Sequence, residues 1–177
     1  MKRVFVDVDT QCDFMNKNGN LYVTGAEGIK NTLFKITKLA KDEKITVLKT
    51  LDCHKKNDPE FSQFPPHCIE ETEGAAPIRE TANKRAVNFE KKTFDVFDKK
   101  LGNPNIDKWL KENKVTEAWV YGVATEICVI AAVKGLLARG ITTYVFENAI
   151  KGIDVENEKK AIEEMKKAGA HLAVAKL

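Results

Sequence analysis

The sequence has no long hydrophobic run, little cysteine and no large excess of either charge. No stretch approaches the roughly 18 consecutive apolar residues that a membrane-spanning helix needs. The first residues, Met-Lys-Arg, lead directly into a short apolar segment without the layout of a signal peptide. We therefore expect a cytoplasmic protein with no membrane partner.

Cysteine is scarce, with four residues in a chain of 177. The spacing of Cys12, Cys53, Cys68 and Cys128 is not that of a disulfide scaffold, so free thiols in a reducing compartment are expected. A cysteine in a notable position must then be explained by packing, metal binding or catalysis. Packing is the better explanation for Cys53 and Cys68.

The charges are balanced, because 29 basic residues are interspersed with 26 acidic ones. Without a concentrated positive field, the sequence gives no support for nucleic-acid binding. Hydrophobic residues make up 43% of the chain and charged residues 31%, proportions that are typical of a folded globular protein. The length predicts a single domain over residues 1–177.

Short β-branched runs alternate with longer segments of helical period, which predicts an α/β fold with a mostly parallel six-stranded sheet covered on both faces. The predicted strands are Arg3–Val8, Lys44–Thr50, Ala86–Glu90, Glu117–Tyr121, Thr142–Phe146 and Leu172–Ala175. The predicted helices are Gly25–Lys41, Asn105–Lys111, Glu126–Ala138 and Asn157–Ala168. Ligands of such sheets bind beyond the carboxyl ends of the strands, where the irregular segments 9–24 and 51–85 begin.

The segment GVATEICV, residues 122–129, places Cys128 in the first turn of a predicted helix. Unpaired N–H groups and the helix dipole favour a thiolate there and lower the pKa of the cysteine. The same N–H groups can stabilise an oxyanion. The alternative is a buried cysteine that packs as a small hydrophobic side chain.

The segment LDCHKKNDPEFSQFPPHC, residues 51–68, carries a possible metal site. Asp52 and His54 are two residues apart on an extended chain and can point the same way, and His67 follows two prolines. One carboxylate and two imidazoles suit zinc, iron or manganese, and Glu60 can supply a fourth ligand. The alternative is a solvated, charged loop.

Two further segments place charged residues at carboxyl ends of strands. NFEKKTFDVF, residues 88–97, carries Lys91 and Lys92, which favour a thiolate if they lie near the cysteine and are otherwise surface lysines. DVDTQCDF, residues 7–14, carries three aspartates. Asp7 and Asp9 are two residues apart, so their side chains should point to the same face of an extended strand. Asp9 lies nearer the carboxyl end of that strand.

Together these segments resemble the isochorismatase-like cysteine hydrolases and, within them, the nicotinamidases. DTQCDF is similar to the family's D-x-Q-x-D-F, TLDCH to its T-x-D-x-H and GVATEICV to its G-V-A-T-D-x-C-V, in the family's order. FPPHCIEETEGA resembles the nicotinamidase motif F/W-P-P-H-C-x-x-G-T-x-G-A. The resemblance implies a three-layer, doubly wound αβα fold and a metal-dependent amidohydrolase that converts nicotinamide, or a related small amide, to the acid and ammonia.

The resemblance also implies a catalytic triad of Asp9, Lys91 and Cys128. Lys91 is preferred to Lys92 because the family's lysine stands six residues before a phenylalanine, here Phe97. Cys128 is the implied nucleophile, Asp9 the base and later the acid, and Lys91 the partner of the thiolate.

Further residues match the family's site. The pair Val123 and Ala124 matches a cis peptide that aims N–H groups at the oxyanion, and Phe14 and Phe64 match aromatic side chains of the substrate pocket. The implied metal ligands are Asp52, His54, His67 and Glu60. The implied cofactor is a divalent metal ion, zinc before iron or manganese, and family members are often dimers or tetramers.

Three residues depart from the family's pattern. Asp7 replaces an apolar residue, Cys53 a tryptophan, and Glu71 the first glycine of G-T-x-G-A. Asp7 is expected to tune Asp9 or Lys91, whereas Asp13 is expected to fix the turn that presents Phe14. The alternatives to an amidohydrolase are an enol-ether hydrolase of the isochorismate type and a binding module without enzymatic activity.

Overall fold

The computed structural model describes residues 2–176, in which six parallel strands form one sheet with the order β3-β2-β1-β4-β5-β6. The strands are β1 (Arg3–Val8), β2 (Thr46–Asp52), β3 (Val87–Lys91), β4 (Glu117–Val123), β5 (Thr142–Lys151) and β6 (His171–Ala173). The helices are α1 (Cys12–Met15), α2 (Lys30–Asp42), α3 (Asn105–Glu112), α4 (Ile130–Leu137) and α5 (Val155–Lys167). Within the described residues, no helix is long and apolar enough to cross a membrane.

Helices cover both faces of the sheet, because strand side chains alternate between two apolar cores. α3, α4 and α5 pack on one face through residues such as Ile106, Val133 and Met165. α1 and α2 pack on the other through residues such as Met15, Leu33 and Ile36. The predicted three-layer αβα fold is confirmed.

All six predicted strands are present, but several bounds differ. β2 begins at Thr46 because Lys44 turns the chain in a left-handed conformation with φ of 54°, and the strand continues to Asp52. β5 runs to Lys151, past an irregular stretch where its pairing with β4 shifts register. In both cases the strand reaches further toward the edge of the sheet where the site lies.

The helices differ from the prediction mainly at their first turns. A 3₁₀ turn, Ala26–Ile29, precedes α2, and a π-helical turn, Thr125–Val129, precedes α4. α5 begins at Val155 because the Asp154 carboxylate accepts a hydrogen bond from the Asn157 N–H at 2.9 Å, an N-cap. α1 and the 3₁₀ turns Pro59–Ser62 and Arg79–Thr81 were not predicted.

The strand order reverses between β1 and β4, which opens a crevice at the carboxyl ends of these two strands. The strands approach closely at Gly122, where φ is 123° and a Cβ atom would lie 2.0 Å from the Val8 carbonyl oxygen. Only glycine fits this position. The crevice is where the segments singled out in the sequence converge.

Candidate active site

Asp9 lies directly after β1 and faces away from Asp7. Its Oδ1 accepts a hydrogen bond from Thr50 at 2.6 Å, whereas Asp7 lies 2.7 Å from Lys49 Nζ. Thr50 and Lys49 are consecutive in β2 and so point to opposite faces of the sheet. The prediction that Asp7 and Asp9 share a face is wrong, because Asp9 has a left-handed backbone with φ of 50°, which breaks the alternation.

Lys91 ends β3 and lies between two carboxylates and a thiol. Its Nζ is 2.8 Å from Asp9 Oδ2, forms an ion pair with Asp52 and lies 4.0 Å from Cys128 Sγ. Burial lowers the pKa of Lys91, but the Asp52 and Asp9 carboxylates outweigh that effect and raise it well above its usual value. The buried Lys91 is therefore a fixed cation, and the neighbouring Lys92 is exposed.

Cys128 lies in the π-helical turn after β4 and is 9% exposed. Burial raises the pKa of this thiol well above its usual value, and the Asp9 carboxylate also raises it, against the lowering effect of Lys91. The lowered pKa that a helix terminus predicts is not found, because desolvation dominates. The sulfur holds its proton beside Asp9, a group that can accept it.

The two carboxylates that share Lys91 differ in their titration. Burial raises the pKa of Asp9 more than Lys91 lowers it. Burial also raises the pKa of Asp52, but Lys91 and a hydrogen bond from His67 outweigh it and leave that pKa lowered. Environments that separate two pKa values in this way suit Asp9 to proton transfer and Asp52 to a permanent anionic role.

Asp52, His54 and His67 form a buried cluster whose candidate ligand atoms all lie within 4.8 Å of one another. Asp52 Oδ2 is 3.7 Å from His67 Nε2 and 4.0 Å from His54 Nε2. His54 is completely buried, and its Nε2 has no hydrogen-bond partner among the described residues. Buried nitrogens without a partner are unfavourable, so this donor set fits a divalent cation.

The second nitrogen of each imidazole faces an oxygen that orients the ring. His67 Nδ1 is 2.8 Å from the Pro65 carbonyl oxygen, and His54 Nδ1 is 3.2 Å from Asp58 Oδ2. Each Nε2 is thereby directed into the cluster, the arrangement of oriented metal-binding histidines. Glu60 Oε2 lies 4.0 Å from His54 Nε2, on the cluster side.

Sequence reasoning assigned no role to Asp58 or to Gln11. The buried amide of Gln11 continues the pairing of β1 with β2, because its Oε1 accepts from the Asp52 N–H and its Nε2 donates to the Asp52 carbonyl, both at 2.8 Å. Gln11 thus fixes the backbone of a candidate ligand. Its place in D-x-Q-x-D-F was a signal for this role, whereas nothing in the loop sequence distinguishes Asp58.

Asp13 joins the two irregular segments beside the pocket. Its carboxylate accepts from the Cys68 N–H at 2.8 Å and from the Asn20 N–H at 3.0 Å. A Cβ atom at position 74 would lie 2.2 Å from this carboxylate, so Gly74 is required there. These contacts fix the turn that carries Phe14, which lies 5.5 Å from the His67 ring, centroid to centroid.

An apolar pocket opens over the thiol and the candidate ligands. Its walls are Phe14, Leu21, Val23, Phe64, Phe94, Val123, Ala124, Ile127 and Ile153, and its polar lining is Asp52, Glu60, His67 and Cys128. The Val123–Ala124 peptide bond at its base is cis. Phe14 is buried in the wall, whereas Phe64 is 40% exposed at the mouth. The pocket brings the Cys128 thiol, the possible metal site and a surface for a flat ring together.

Known proteins are similar to this chain in sequence and in fold. Residues 3–176 match the family model described as the isochorismatase domain. A nicotinamidase/pyrazinamidase of Mycobacterium tuberculosis (strain ATCC 25618 / H37Rv) is 29% identical to this chain over an alignment of 185 residues, gaps included. The alignment covers 96% of this chain and 97% of that protein.

Two solved structures are similar over nearly their whole length. A pyrazinamidase of Pyrococcus horikoshii in complex with zinc has a TM-score of 0.90 at 29% identity, covering 98% of this chain and 99% of the other. A nicotinamidase from Bacillus subtilis has a TM-score of 0.87 at 26% identity, with the same coverage.

Proposed function

This chain belongs to the isochorismatase family, and from that premise we propose that it is a metal-dependent cysteine amidohydrolase that converts nicotinamide and water to nicotinate and ammonia. The observation that carries the proposal is that Lys91 lies beside both Asp9 and Cys128, whose thiol lines an apolar pocket. The nicotinamidases and pyrazinamidases among its relatives support the same reaction. An enol-ether hydrolase needs an acid but gives no role to the thiol.

In the first half of the reaction, Cys128 Sγ attacks the amide carbon and its proton passes to Asp9. Asp9 then protonates the amide nitrogen, the C–N bond breaks and ammonia leaves an acyl thioester on the sulfur. Lys91 stabilises the negative charge of the sulfur whenever the thiol is deprotonated.

In the second half, a water molecule attacks the thioester carbon and Asp9 accepts its proton. The C–S bond breaks, the carboxylic acid is released and the thiol regains its proton. During both attacks the carbonyl oxygen carries negative charge, which we assign to the backbone N–H groups of Ala124 and Cys128.

Asp52, His54 and His67 would hold the metal ion, with Glu60 as a fourth ligand. Zinc is the proposed ion because the donor set suits it and a similar pyrazinamidase was solved with zinc; iron and manganese suit the same set. When bound, the ion supplies a Lewis acid that holds the ring nitrogen of the substrate or a water molecule.

The pocket walls favour a flat, uncharged ring. Phe14 and Phe64 offer aromatic surfaces to such a ring, and Val123 and Ile127 complete the apolar lining. Of the residues that line the pocket, Asp52, Glu60 and His67 carry ionisable groups besides the thiol, and all three belong to the proposed metal site. An amide with an additional carboxylate is therefore expected to be a poor substrate.

Ammonia release from nicotinamide tests the proposal, with metal content measured on the same zinc-loaded sample. Cys128→Ala should remove turnover and keep the folded state, because alanine fits where the small thiol packs. The exposed Lys134→Gln variant is the control and should retain full turnover. The absence of ammonia from the metal-loaded protein would refute the nicotinamidase assignment, and turnover by Cys128→Ala would refute the role of Cys128 as the nucleophile.

A cytoplasmic location and a dimeric or tetrameric state are also part of the proposal. Cell fractionation tests the location, and light scattering tests the oligomeric state.

A further inference from the structure

Asp7 and Lys49 form a buried ion pair for which the proposed reaction has no use. Asp7 is 1% exposed and Lys49 2%, and the carboxylate lies 2.7 Å from the ammonium group. They are direct neighbours in the pairing of β1 with β2. They project to the face of the sheet opposite to that of Asp9 and Thr50, and the expectation that Asp7 acts directly on Asp9 or Lys91 is therefore not supported.

Two threonines close this pair into a ring of contacts. Thr10 Oγ1 donates to Asp7 Oδ1 at 2.7 Å and lies 2.8 Å from Thr81 Oγ1, and Lys49 Nζ donates to Thr81 Oγ1 at 3.1 Å. Thr10 and Thr81 are 1% and 0% exposed. The four residues come from β1, β2, the segment after β1 and the 3₁₀ turn Arg79–Thr81, so the ring joins parts of the chain that are distant in sequence.

A buried ion pair is a poor source of stability. Taking both charges out of water costs several kcal/mol per ion by general estimates, and apolar replacements of similar volume are often neutral or stabilising. The ring therefore needs an explanation other than the free energy of folding, and the position of Thr10 supplies one.

Thr10 stands between the candidate base Asp9 and the amide of Gln11. Its carbonyl oxygen accepts a hydrogen bond from the Ile78 N–H at 2.9 Å, so both its side chain and its backbone are held. Asp9 has an unfavourable left-handed conformation, which persists only where the surroundings enforce it. The contacts on Thr10 enforce the reversal that turns Asp9 toward Lys91.

We propose that Asp7, Lys49, Thr10 and Thr81 form a positioning ring that fixes the Asp9 carboxylate for proton transfer with Cys128. This inference rests on the proposed function, in which Asp9 moves the proton. None of the four residues lines the pocket or belongs to the metal cluster. The ring accordingly affects the chemical steps and leaves substrate and metal binding unchanged.

Two changes test the ring without leaving an unpaired buried charge. Thr10→Val removes the hydroxyl group and keeps the side-chain volume. Thr10→Ser, the matched variant, keeps the hydroxyl group and removes the methyl group. The double variant Asp7→Leu/Lys49→Met removes both charges and fills the space with apolar groups. The control is Lys134→Gln/Glu164→Gln, which removes an exposed ion pair with a 2.6 Å N–O distance, and neither residue lines the pocket.

We expect kcat to fall by about 10-fold to 100-fold in Thr10→Val and in the double variant, because small displacements of reacting groups have effects of that size. KM and zinc content should stay within about twofold of the parent values, and Thr10→Ser and the control should keep the parent kcat. A kcat within twofold of the parent in folded Thr10→Val would overturn the proposal, whatever the double variant does.

A second readout is independent of substrate. The pH at which iodoacetamide modifies Cys128 at half its maximal rate depends on the charge of Asp9 beside the sulfur, so it should shift in Thr10→Val and stay unchanged in Thr10→Ser. If the parent protein releases no ammonia, the proposed function fails and this shift still tests the ring. An unchanged midpoint in Thr10→Val would overturn the ring and leave the proposed function intact.

Discussion

Three residues in the loops around the pocket have left-handed backbone conformations that glycine adopts more easily. They are Asp9, Cys68 and Glu71, with φ of 50°, 45° and 64°. Glu71 occupies the position at which the nicotinamidase motif G-T-x-G-A has its first glycine. Glu71 thus adopts a backbone conformation that suits glycine, at a strain of about 1–2 kcal/mol.

Glu71→Gly should raise the free energy of unfolding by roughly 0.5–1 kcal/mol, because relief of the strain exceeds the added entropy of the unfolded chain. Glu70→Gly is the matched control, since Glu70 is also exposed and has no left-handed backbone. It should lower the stability by about 0.5–1 kcal/mol. Urea denaturation measures both values, and a loss of stability in Glu71→Gly would contradict the account of the strain.

Asp58→Asn should weaken zinc binding by about 10-fold to 100-fold, because the carboxylate that orients His54 loses its charge. Competition with a chelator on the purified protein measures the dissociation constant without any need for turnover. Asp95→Asn, in the loop after β3, is a suitable control because Asp95 is not part of the metal cluster. Equal zinc affinity in Asp58→Asn and the parent would remove Asp58 from the site.

At the scale of elements, β1 and β4 are joined near their amino ends by Glu117. Its carboxylate pairs with Arg3 and accepts a hydrogen bond from Trp119 Nε1 at 2.7 Å. Burial raises the pKa of Glu117, but these two partners outweigh it and lower the pKa. A lowered pKa in the folded state means that the stabilisation is present above the unfolded pKa of about 4.3 and is lost as pH falls through the folded pKa.

Glu117→Gln should therefore lower the melting temperature at pH 7, by roughly 2–4 °C for a loss of about 1 kcal/mol. The difference from the parent should shrink as the pH falls below about 4, because the parent loses its charge there as well. The control is Glu112→Gln in α3, whose pair with Lys108 is exposed and 3.9 Å long. A difference that stays constant with pH would show that the charge of Glu117 contributes nothing.

The sequence predicts elements better than their ends. The six strands follow from runs of β-branched residues, but the end of β2 does not, because Asp52 is held by its pairing with Lys91 of β3 and by the side chain of Gln11. The side-chain face of Asp9 depends on one backbone angle that alternation does not reveal. Local sequence patterns predict that a strand exists. Contacts with residues distant in sequence determine where the strand ends and to which face its last side chains point.

At the scale of the whole molecule, metal binding is expected to contribute to global stability. His54 and His67 come from the long segment between β2 and β3, which has few regular elements of its own. An ion held between this segment and β2 binds only the folded chain, and so shifts the unfolding equilibrium by mass action.

Free zinc at a hundredfold excess over its dissociation constant should stabilise the fold by about 2.7 kcal/mol. The melting temperature should rise by roughly 5–10 °C for a chain of this size. His67→Ala should have no such response, whereas the surface variant Lys134→Gln should respond like the parent. A zinc-independent melting temperature for the parent would contradict the metal assignment.

Motif order predicts which segments meet, because all of them follow strands of one parallel sheet and therefore lie at its carboxyl edge. It does not predict the low exposure of Lys91 or the raised pKa of Cys128, since both depend on how the whole edge excludes water. Motif order also does not predict the ring around Asp7, because its four residues do not belong to one motif.

The strand order also determines when the site is complete during synthesis. Asp9, the metal ligands and Lys91 all lie in the first 91 residues, on β1, β2, β3 and their loops, whereas Cys128 follows β4. A ribosome-bound chain that has paired only its first three strands thus carries the acid, the lysine and the candidate metal ligands without the thiol. Cys128 is synthesised last, and the candidate nucleophile reaches the other site residues only when β4 pairs with the edge of β1 that β2 leaves open.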